Sequence, residues 1–339
     1  MGTNCSSCNC AHKESEFHIE IDYGPNLNSK NQNTTDFSLS SSEKHRENAT
    51  KIQAFWRGYR DRKYVALLKK KRQIKSMYFL YDDFYDMSYS SHNILKREER
   101  PAYKFKNGAV YVGQWRGIYR DGYGIQKWPD GAKYEGQWKD NAANGKGKFW
   151  HVDGDVYEGD WVDDKANGKG VYRQMNGAMY EGEWRNDFQH GFGKEVWADK
   201  SKYEGYYENG KRNGMGTYTW KDHSTYSGYW SENKISGRGV YRWPDGREYN
   251  GEWKDGKMHG KGVYTWKDGR KYEGEYVNDH KHGFGIYMWN DGKIYSGNWK
   301  DGKPHEYGTI TYPNKTKRAG EWKDGKRVRW IDEEEPLLN

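Results

Sequence analysis

The 23 residues 249–271, YNGEWKDGKMHGKGVYTWKDGRK, hold the pattern that decides the fold of this chain. The stretch opens with Tyr-x-Gly-x-Trp, in which every second residue is polar, and side chains of a β-strand alternate between two faces in this way. A polar loop and a second alternating run follow. The run ends at Asp268-Gly269, and Asp-Gly between alternating runs is typical of a hairpin turn. The stretch therefore predicts one β-hairpin.

The same hairpin pattern recurs along the chain at a fixed period of 23 residues. Its copies open at Tyr111, Tyr134, Tyr157, Tyr180, Tyr203, Tyr226, Tyr249, Tyr272 and Tyr295, and a degenerate tenth copy opens near Arg318. A fixed period indicates one supersecondary unit stacked many times. We therefore expect an all-β repeat domain, built as an elongated, single-layer antiparallel sheet of stacked 23-residue hairpins.

The aromatic residues, which make up 17% of the chain, are expected on one face of this sheet. The strand alternation places the Tyr and Trp rings there, and the glycines between them let the rings lie over the backbone. Because the sequence holds no second sheet or helix series to cover this face, we expect an exposed aromatic groove that docks a partner. The expected groove residues are Tyr134, Trp138, Tyr157, Trp161, Tyr180, Trp184, Tyr249, Trp253, Tyr264, Trp266 and Tyr272.

Tyr-Glu-Gly-x-Trp followed by Gly-x-Gly and Asp-Gly on this period resembles the MORN (membrane occupation and recognition nexus) repeat, over residues 101–330. The departures are local: Glu306-Tyr307-Gly308 replaces one Gly-x-Gly, and two turns lack their glycine. The resemblance implies an extended sheet that contacts proteins or membranes at cell cortices, cilia and membrane junctions. It implies a cytoskeletal or membrane-junction protein as partner, and it leaves direct binding of acidic lipids and homo-oligomer formation open.

Ahead of the repeats, residues 43–75 are predicted to form a basic amphipathic helix. Part of it resembles the IQ motif, at Ile52, Gln53, Trp56, Arg57, Gly58, Arg62 and Val65. The resemblance implies binding of calmodulin or a calmodulin-like protein, with the calcium dependence left open. Basic amphipathic helices suit acidic proteins that wrap a helix and bury its aromatic residues. The alternative is a solvated or coiled structural helix.

Residues 51–75 of this predicted helix hold ten Lys or Arg and one acid, Asp61, and their charge of +9 leaves −1 for the remainder of a chain whose net charge is +8. A positive charge confined to one segment argues against a protein that binds nucleic acid. The helix ends in Lys69, Lys70, Lys71 and Arg72. Near an anionic membrane each such charge adds about 1 kcal/mol of attraction, so this run is expected to contact acidic lipids.

The three cysteines of the chain, Cys5, Cys8 and Cys10, all lie within its first ten residues. Gly2 and Ser6 fit the N-myristoylation pattern. One myristoyl chain binds membranes only marginally, so stable anchoring takes a second signal, and cysteines beside an acylated glycine are the usual palmitoyl acceptors. Dual acylation of residues 1–10 is therefore expected. Two alternatives stay open: unmodified cysteines, and a metal site that adds His12 to the three thiols.

Three further segments complete the expected organisation. Residues 11–42 are Ser/Asn-rich and patternless, which is typical of a disordered linker. Residues 76–100, rich in Tyr and Phe, are expected to connect the helix to the sheet and to cap its first hairpins. Residues 331–339 form an acidic tail, in which Glu333, Leu337 and Leu338 resemble an acidic dileucine sorting signal; a solvated acidic end is the alternative.

The sequence indicates a binding protein with no cofactor or metal and no catalytic activity. No nucleophile and base stand together in a recognisable pattern, and Gly-x-Gly here enters a strand, unlike a phosphate-binding loop. We expect a membrane-anchored scaffold at the cytoplasmic face of a membrane, at the cell cortex or in a cilium. The alternatives are a structural component of the axoneme or cortex and a regulatory subunit of a lipid-modifying enzyme.

Overall fold

A computed structural model describes Tyr78 and residues 96–331, and every regular element in those residues is a β-strand. The strands are β1 Glu98–Lys104, β2 Val110–Arg116, β3 Tyr119–Lys127, β4 Lys133–Lys139, β5 Ala142–Trp150, β6 Val156–Val162, β7 Lys165–Arg173, β8 Met179–Arg185, β9 Phe188–Val196, β10 Lys202–Glu208, β11 Lys211–Thr219, β12 Thr225–Ser231, β13 Lys234–Arg242, β14 Glu248–Lys254, β15 Lys257–Thr265, β16 Lys271–Val277, β17 His280–Met288, β18 Ile294–Lys300, β19 Lys303–Thr311, β20 Lys317–Lys323 and β21 Lys326–Ile331.

These strands form one open antiparallel sheet in which each strand pairs with the next along the chain. The predicted all-β, single-layer antiparallel architecture is confirmed. The sheet has 21 strands because β1 precedes the first hairpin and pairs with β2. The predicted basic helix, the disordered linker and the acylated N-terminus lie outside the described residues.

The two strands within each repeat are joined by a two-residue turn. In β4–β5 the turn residues are Asp140 and Asn141, both with positive φ (49° and 70°). Positive φ at both positions defines the type I′ turn, which matches the right-handed twist of a hairpin and favours Asn, Asp and Gly. The sequence pattern predicts only a polar loop at this position. The turn side chain also bonds the previous repeat, since Asn141 Oδ1 accepts a hydrogen bond from Arg120 N (2.8 Å).

Successive repeats are joined by the Asp-Gly turns that the sequence predicts. In one of them Gly269 N donates to Trp266 O (3.1 Å), and Gly269 has φ +89°, which glycine adopts without strain. Turns in which another residue replaces this glycine keep the same backbone, with φ of 70° at Lys200, 65° at His223 and 68° at Lys315. The fold therefore imposes the turn even where the residue is unfavourable.

Each repeat also contains a β-bulge, which falls at the Gly-x-Gly. In β4–β5 the register shifts between Gly136 and Trp138, so that β5 carries extra residues at this point. A bulge bends its strand and increases the local twist. Recurrence of the bulge in every repeat gives the sheet a regular deformation along its length.

The described residues contain no helix with the length and hydropathy that crossing a membrane would require.

Candidate functional site

The face of the sheet that carries the Tyr and Trp rings, here called the inner face, is built on pairs of glycines. In β4–β5, Gly136 and Gly147 lie opposite each other. A Cβ atom on Gly147 would lie 2.3 Å from the Tyr134 hydroxyl, so only glycine leaves room for the ring. The Tyr134 hydroxyl donates to Gln137 O at 2.9 Å. Each tyrosine thus lies flat against the backbone.

The tryptophans join these tyrosines into a continuous array. Tyr134 makes edge-to-face contacts with Trp138 of its own repeat (ring centroids 4.9 Å apart) and with Trp161 of the next (5.1 Å). Trp138 Nε1 donates to Gly124 O of the preceding repeat (3.2 Å). Edge-to-face pairs contribute about 0.5–1.5 kcal/mol each beyond their area burial. The array therefore links neighbouring repeats as well as the strands within one.

The prediction that these rings line an exposed groove is wrong, because they form the core of the protein. Ten of the eleven expected groove residues are buried: Tyr134, Trp138, Tyr157, Trp161, Tyr180, Trp184, Tyr249, Trp253, Tyr264 and Tyr272. Trp266 is half-buried. The prediction assumed that burial needs a second layer. Here each ring is covered by glycine backbone on one side and by the rings of neighbouring repeats on the others.

Burial raises the pKa of the core tyrosine hydroxyls well above the ordinary value near 10. The cause is desolvation, which disfavours the phenolate. Arg120 opposes this effect at Tyr111, and Arg212 opposes it at Tyr203. The tyrosines affected in this row are Tyr111, Tyr134, Tyr157, Tyr203, Tyr226, Tyr249, Tyr272 and Tyr295.

Three cations lie within the aromatic core, and sequence reasoning missed them. Arg120, Arg212 and Lys281 are all buried, and each lies over a Trp ring. The distances to the ring centroids are 4.2 Å for Arg120, 4.5 Å for Arg212 and 4.9 Å for Lys281. Desolvated cation–π contacts of this kind are worth about 2 kcal/mol. The sequence does carry a signal for them, because each is a charged residue at a position of the repeat where other repeats have an apolar residue: Ala143, Ala166, Ile235 or Met258.

A buried acid accompanies one of these cations in the middle of the sheet. The Tyr207 hydroxyl donates to Glu195 Oε2 at 2.8 Å, and both residues are buried. Burial raises the pKa of Tyr207 well above its ordinary value, with the Glu195 carboxylate adding to the effect and Arg212 opposing it. Glu195 and Tyr207 stand where most repeats carry an aromatic residue and Trp. The hydrogen bond from Tyr207 gives the buried Glu195 carboxylate a polar partner, which burial of such a group requires.

A second aromatic row, part of which is buried in the core, runs along the C-terminal half of the sheet. Neighbouring rings are 4.6 Å apart at Tyr218–Trp220 and 5.1 Å apart at Trp220–Tyr241, and the row continues in this way from repeat to repeat. Its members are Trp197, Tyr218, Trp220, Tyr241, Trp243, Tyr264, Trp266, Tyr287 and Trp289.

The chain that precedes the sheet contacts the matching positions of the first two repeats. Tyr78 packs against Trp128, Phe149 and His151, with ring centroids 5.5, 5.6 and 5.7 Å away. Trp128 Nε1 donates to Tyr78 O at 3.0 Å. Tyr78, which lies in the predicted connector, therefore packs on the sheet.

The remaining predicted site residues lie outside the described residues. They are the acylation residues Gly2, Cys5, Cys8 and Cys10, the IQ residues Ile52, Gln53, Trp56, Arg57, Gly58, Arg62 and Val65, and the basic run Lys69, Lys70, Lys71 and Arg72. Within residues 96–331, no group of three or more His, Cys, Asp or Glu side chains is arranged to hold a metal ion.

Comparison with protein families identifies two kinds of sequence element. The MORN repeat model matches ten segments: residues 111–133, 134–156, 157–179, 180–202, 203–225, 226–246, 249–269, 272–294, 295–317 and 319–328. The IQ calmodulin-binding motif model matches residues 46–65. The comparison with curated proteins found no match.

Several solved structures are similar to the sheet only at a low level. The TCP10 domain of Danio rerio CPAP in complex with a peptide of Danio rerio STIL is 12% identical, with a TM-score of 0.38, over 70% of this chain and 100% of that one. The SAS-4 (dCPAP) TCP domain of Drosophila melanogaster, in complex with a proline-rich motif of Ana2, is 11% identical, with a TM-score of 0.31, over 52% of this chain and 90% of that one.

Proposed function

Because the chain belongs to the MORN-repeat family and carries an IQ motif ahead of its repeats, we propose that it is a non-catalytic, membrane-anchored scaffold that binds a calmodulin-like protein. The IQ motif suggests calmodulin binding, and MORN repeats suggest association with a membrane or the cytoskeleton. Both elements are typically non-catalytic binding motifs.

The observation that carries the proposal is the position of the IQ motif relative to the sheet. The motif ends at residue 65, and Tyr78 packs on the first two repeats. The segment that a calmodulin-like protein would wrap is therefore separated from the β-sheet by only a short connector. A bound regulator would be held close to the repeats, which is the arrangement that a scaffold needs.

The membrane part of the proposal rests on the N-terminal sequence. Acylation of Gly2 and of the nearby cysteines would supply two hydrophobic anchors, and Lys69–Arg72 would add attraction to anionic lipid. Since the basic run directly follows the IQ motif, a protein that wraps this segment would compete with the membrane for it. The cytoplasmic face of a cortical or ciliary membrane is the proposed location.

Calorimetric titration of the purified full chain with calmodulin, with calcium and again with a chelator, tests the regulator. We expect saturable binding to the wild type in at least one condition. Replacing Ile52, Gln53 and Arg57 together by Ala should weaken it at least about tenfold, since these residues supply the anchor and the charge. Lys139→Ala, an exposed cation on the sheet, is the control and should bind like the wild type. Absence of binding in both conditions, or equal binding by the triple variant, would contradict the proposal.

Membrane anchoring is tested separately, with the wild type and Gly2→Ala tagged at the C-terminus in cells that acylate proteins. We expect fatty-acid labelling and detergent-releasable membrane association of the wild type, and neither for the variant. Equal partition of both proteins without labelling would exclude the anchor.

An axonemal or cortical structural component is the second candidate function. The observation that favours it is the sheet itself, a 21-stranded array with an unpaired edge at β1 and another at β21 among the described residues. This candidate predicts that the protein sediments with the cytoskeleton after detergent extraction. Co-purification with a lipid-modifying enzyme activity would instead favour a regulatory subunit.

A further inference from the structure

The outer face of the sheet, opposite the rings, carries one row of side chains that crosses the strands. The row passes through the middle residue of each Gly-x-Gly and the residue before the Trp of the next repeat, which face each other across the strand pair. In four strand pairs a base faces an acid: Lys146 and Asp160, Lys169 and Glu183, Arg238 and Glu252, Lys261 and Glu275. This alternation keeps the outer face solvated.

The acid or amide of this row also supports the fold. Gln137 Oε1 accepts a hydrogen bond from Lys146 N (2.8 Å), Asp160 Oδ2 from Lys169 N (2.9 Å) and Glu183 Oε1 from Phe192 N (3.2 Å). The backbone donor in each case belongs to the bulge, where the strand ladder is interrupted. A side-chain oxygen at this position therefore satisfies a backbone group in its own repeat.

Two neighbouring strand pairs break this rule in the middle of the row. Phe192 faces Tyr206, with ring centroids 5.6 Å apart, and Met215 faces Tyr229. The four side chains are exposed, from 40% for Phe192 to 52% for Tyr229. We call them the central patch.

The fold does not account for the central patch. The rings of Tyr206 and Tyr229 stand where each of the first four repeats has a side-chain oxygen that accepts this hydrogen bond. The sheet also exposes two adjacent apolar pairs in the middle of the row, where the neighbouring pairs on both sides are charged. Local rules broken without a structural gain are expected at functional sites, and contiguous exposed apolar side chains mark interaction surfaces.

The order of residues along the row identifies the partner, because the two halves of the row are complementary about the boundary between β10 and β11. From that boundary outward, each direction gives one apolar pair and then two pairs of opposite charges. Beyond them lies an aromatic residue with an amide, Tyr123 with Gln137 on one side and Phe284 with Asn298 on the other. At equal distances from the midpoint, apolar residues match apolar residues and acids match bases, and this self-complementarity is what an isologous twofold contact requires.

We propose that two copies of this chain associate through the central patch, with a twofold axis parallel to β10 and β11 and passing between them. The axis brings Tyr206 against Met215 of the second copy, and Phe192 against the second copy's Tyr229. One strand further out, Glu183 faces Arg238 of the second copy. The next pair is Lys169 with the second copy's Glu252.

Opposite charges meet because the axis places each even-numbered strand of one copy on an odd-numbered strand of the other. Acids lie on even-numbered strands and bases on odd-numbered ones, and the axis places β8 on β13 and β7 on β14. A twofold axis perpendicular to the strands would instead place each strand on its own counterpart, and so acid on acid and base on base. The twist between adjacent strands, about 20–25°, separates the two sheets away from the axis, so the contact is confined to the central strands. A contact of this size predicts a weak dimer.

Sedimentation velocity of the full chain over concentrations that extend into the micromolar range tests the proposal. We expect a reversible monomer–dimer equilibrium for the wild type. The matched variant carries Phe192→Lys, Tyr206→Glu, Met215→Glu and Tyr229→Lys, which pairs a base with an acid within each strand pair and places like charges against each other across the axis. It should fold like the wild type and dimerise at least about tenfold more weakly. Phe284→Lys removes another outer-face aromatic, 55% exposed, away from the axis and should leave the equilibrium unchanged.

A charge exchange tests the register without altering the central patch. Arg238→Glu should weaken the dimer, because it faces Glu183 of the second copy, and Glu183→Arg should weaken it likewise. The double variant should recover association. Within one chain these residues lie five strands apart, too far for a direct ion pair to explain the recovery.

Two results would overturn the proposal. One is a wild type that stays monomeric throughout the concentration range. The other is a dimer that survives both the fourfold variant and the single charge reversals unchanged. If the fourfold variant does not fold, the charge exchange decides alone: recovery in the double variant supports the twofold contact, and its absence excludes this register.

Discussion

Lys146 and Gly147 are neighbours in the chain, yet they belong to the two faces of the sheet and illustrate how differently those faces are built. Lys146 lies on the outer face, where its ammonium group is 2.5 Å from the Asp160 carboxylate and its side chain is 73% exposed. Gly147 lies under the Tyr134 ring, with no room for a Cβ atom. The inner face therefore carries the stability of the protein, and the outer face is free to vary.

The difference explains how a single sheet is stable without a second layer. On the inner face the backbone itself covers the rings, which requires glycine at fixed positions in every repeat. On the outer face the side chains need only keep the sheet soluble, so the repeats differ there. Binding surfaces can therefore arise on the outer face at little cost in stability, and the central patch is an example.

High pH should have the largest effect on this comparison, because it acts on the inner face of many repeats together. The folded pKa of eight core tyrosines is raised by burial, so their stabilising contribution is fully present below pH 10 and is lost as the pH rises above it. At pH 12 each contributes up to about 3 kcal/mol in favour of unfolding, and eight together exceed an ordinary domain's stability of about 5–15 kcal/mol.

Phenolate absorbance and far-ultraviolet circular dichroism, recorded together against pH, check this. The absorbance of the core tyrosines should rise in one step that coincides with the loss of β-structure. Complete ionisation of all tyrosines in a sheet that stays folded would refute the buried core.

Removal of one inner-face ring should have the next largest effect. Trp161 is 1% exposed, and its Nε1 donates to Gly147 O at 3.0 Å. Trp161→Ala leaves a cavity and should lower the free energy of unfolding by about 3–5 kcal/mol in urea titrations. Trp150→Ala is the matched control, because Trp150 lies on the outer face, where the Lys133 ammonium group is 3.6 Å from its ring centroid. That contact is worth about 0.5–1 kcal/mol, and equal losses in both variants would contradict the difference between the faces.

Addition of one methyl group to the inner face should have a smaller effect. Gly147→Ala places Cβ 2.3 Å from the Tyr134 hydroxyl, and the ring must shift within a packed array. Overpacking of this kind costs about 1–3 kcal/mol, which thermal and urea unfolding will measure. Gly131→Asn is the control, since no atom lies within 4 Å of a Cβ there and the equivalent turn positions of two other repeats carry Lys200 and His223 with positive φ. Unchanged stability of Gly147→Ala would show that the tyrosine is loosely held.

The smallest effect is expected for Lys146→Ala, one residue away on the outer face. Its exposed ion pair with Asp160 is worth about 0–1 kcal/mol and is screened by salt. The variant should unfold within experimental error of the wild type at high ionic strength. A loss as large as that of Gly147→Ala would contradict the assignment of stability to the inner face.

The repeat architecture was predictable from sequence because it rests on local rules. The period, the strand alternation and the Asp-Gly turns each have a direct physical meaning, and together they predict the single antiparallel sheet. The two-residue turn at Asp140-Asn141 was not foreseen, because its residues vary between Asp, Asn, Glu and Gly from repeat to repeat. Boundaries were also imprecise, since β1 begins at Glu98.

The burial of the rings could not be predicted from the pattern, because it depends on contacts between repeats. Tyr134 is covered by Gly147 and Trp161, which lie 13 and 27 residues further along the chain. The cation at Arg120 stands over Trp138 for the same reason. The central patch became visible only when the strand register placed Phe192 opposite Tyr206 and Met215 opposite Tyr229.

Quenching of tryptophan fluorescence by iodide tests most directly whether the inner face is a packed core or an open groove. Within residues 96–331, ten of the chain's 17 tryptophans are buried, and iodide quenches only exposed indoles. The account predicts blue-shifted emission and a curved quenching plot, in which about half or more of the emission is inaccessible until urea unfolds the chain. A linear plot with nearly all emission accessible to iodide in the folded protein would mean that the rings line an open groove.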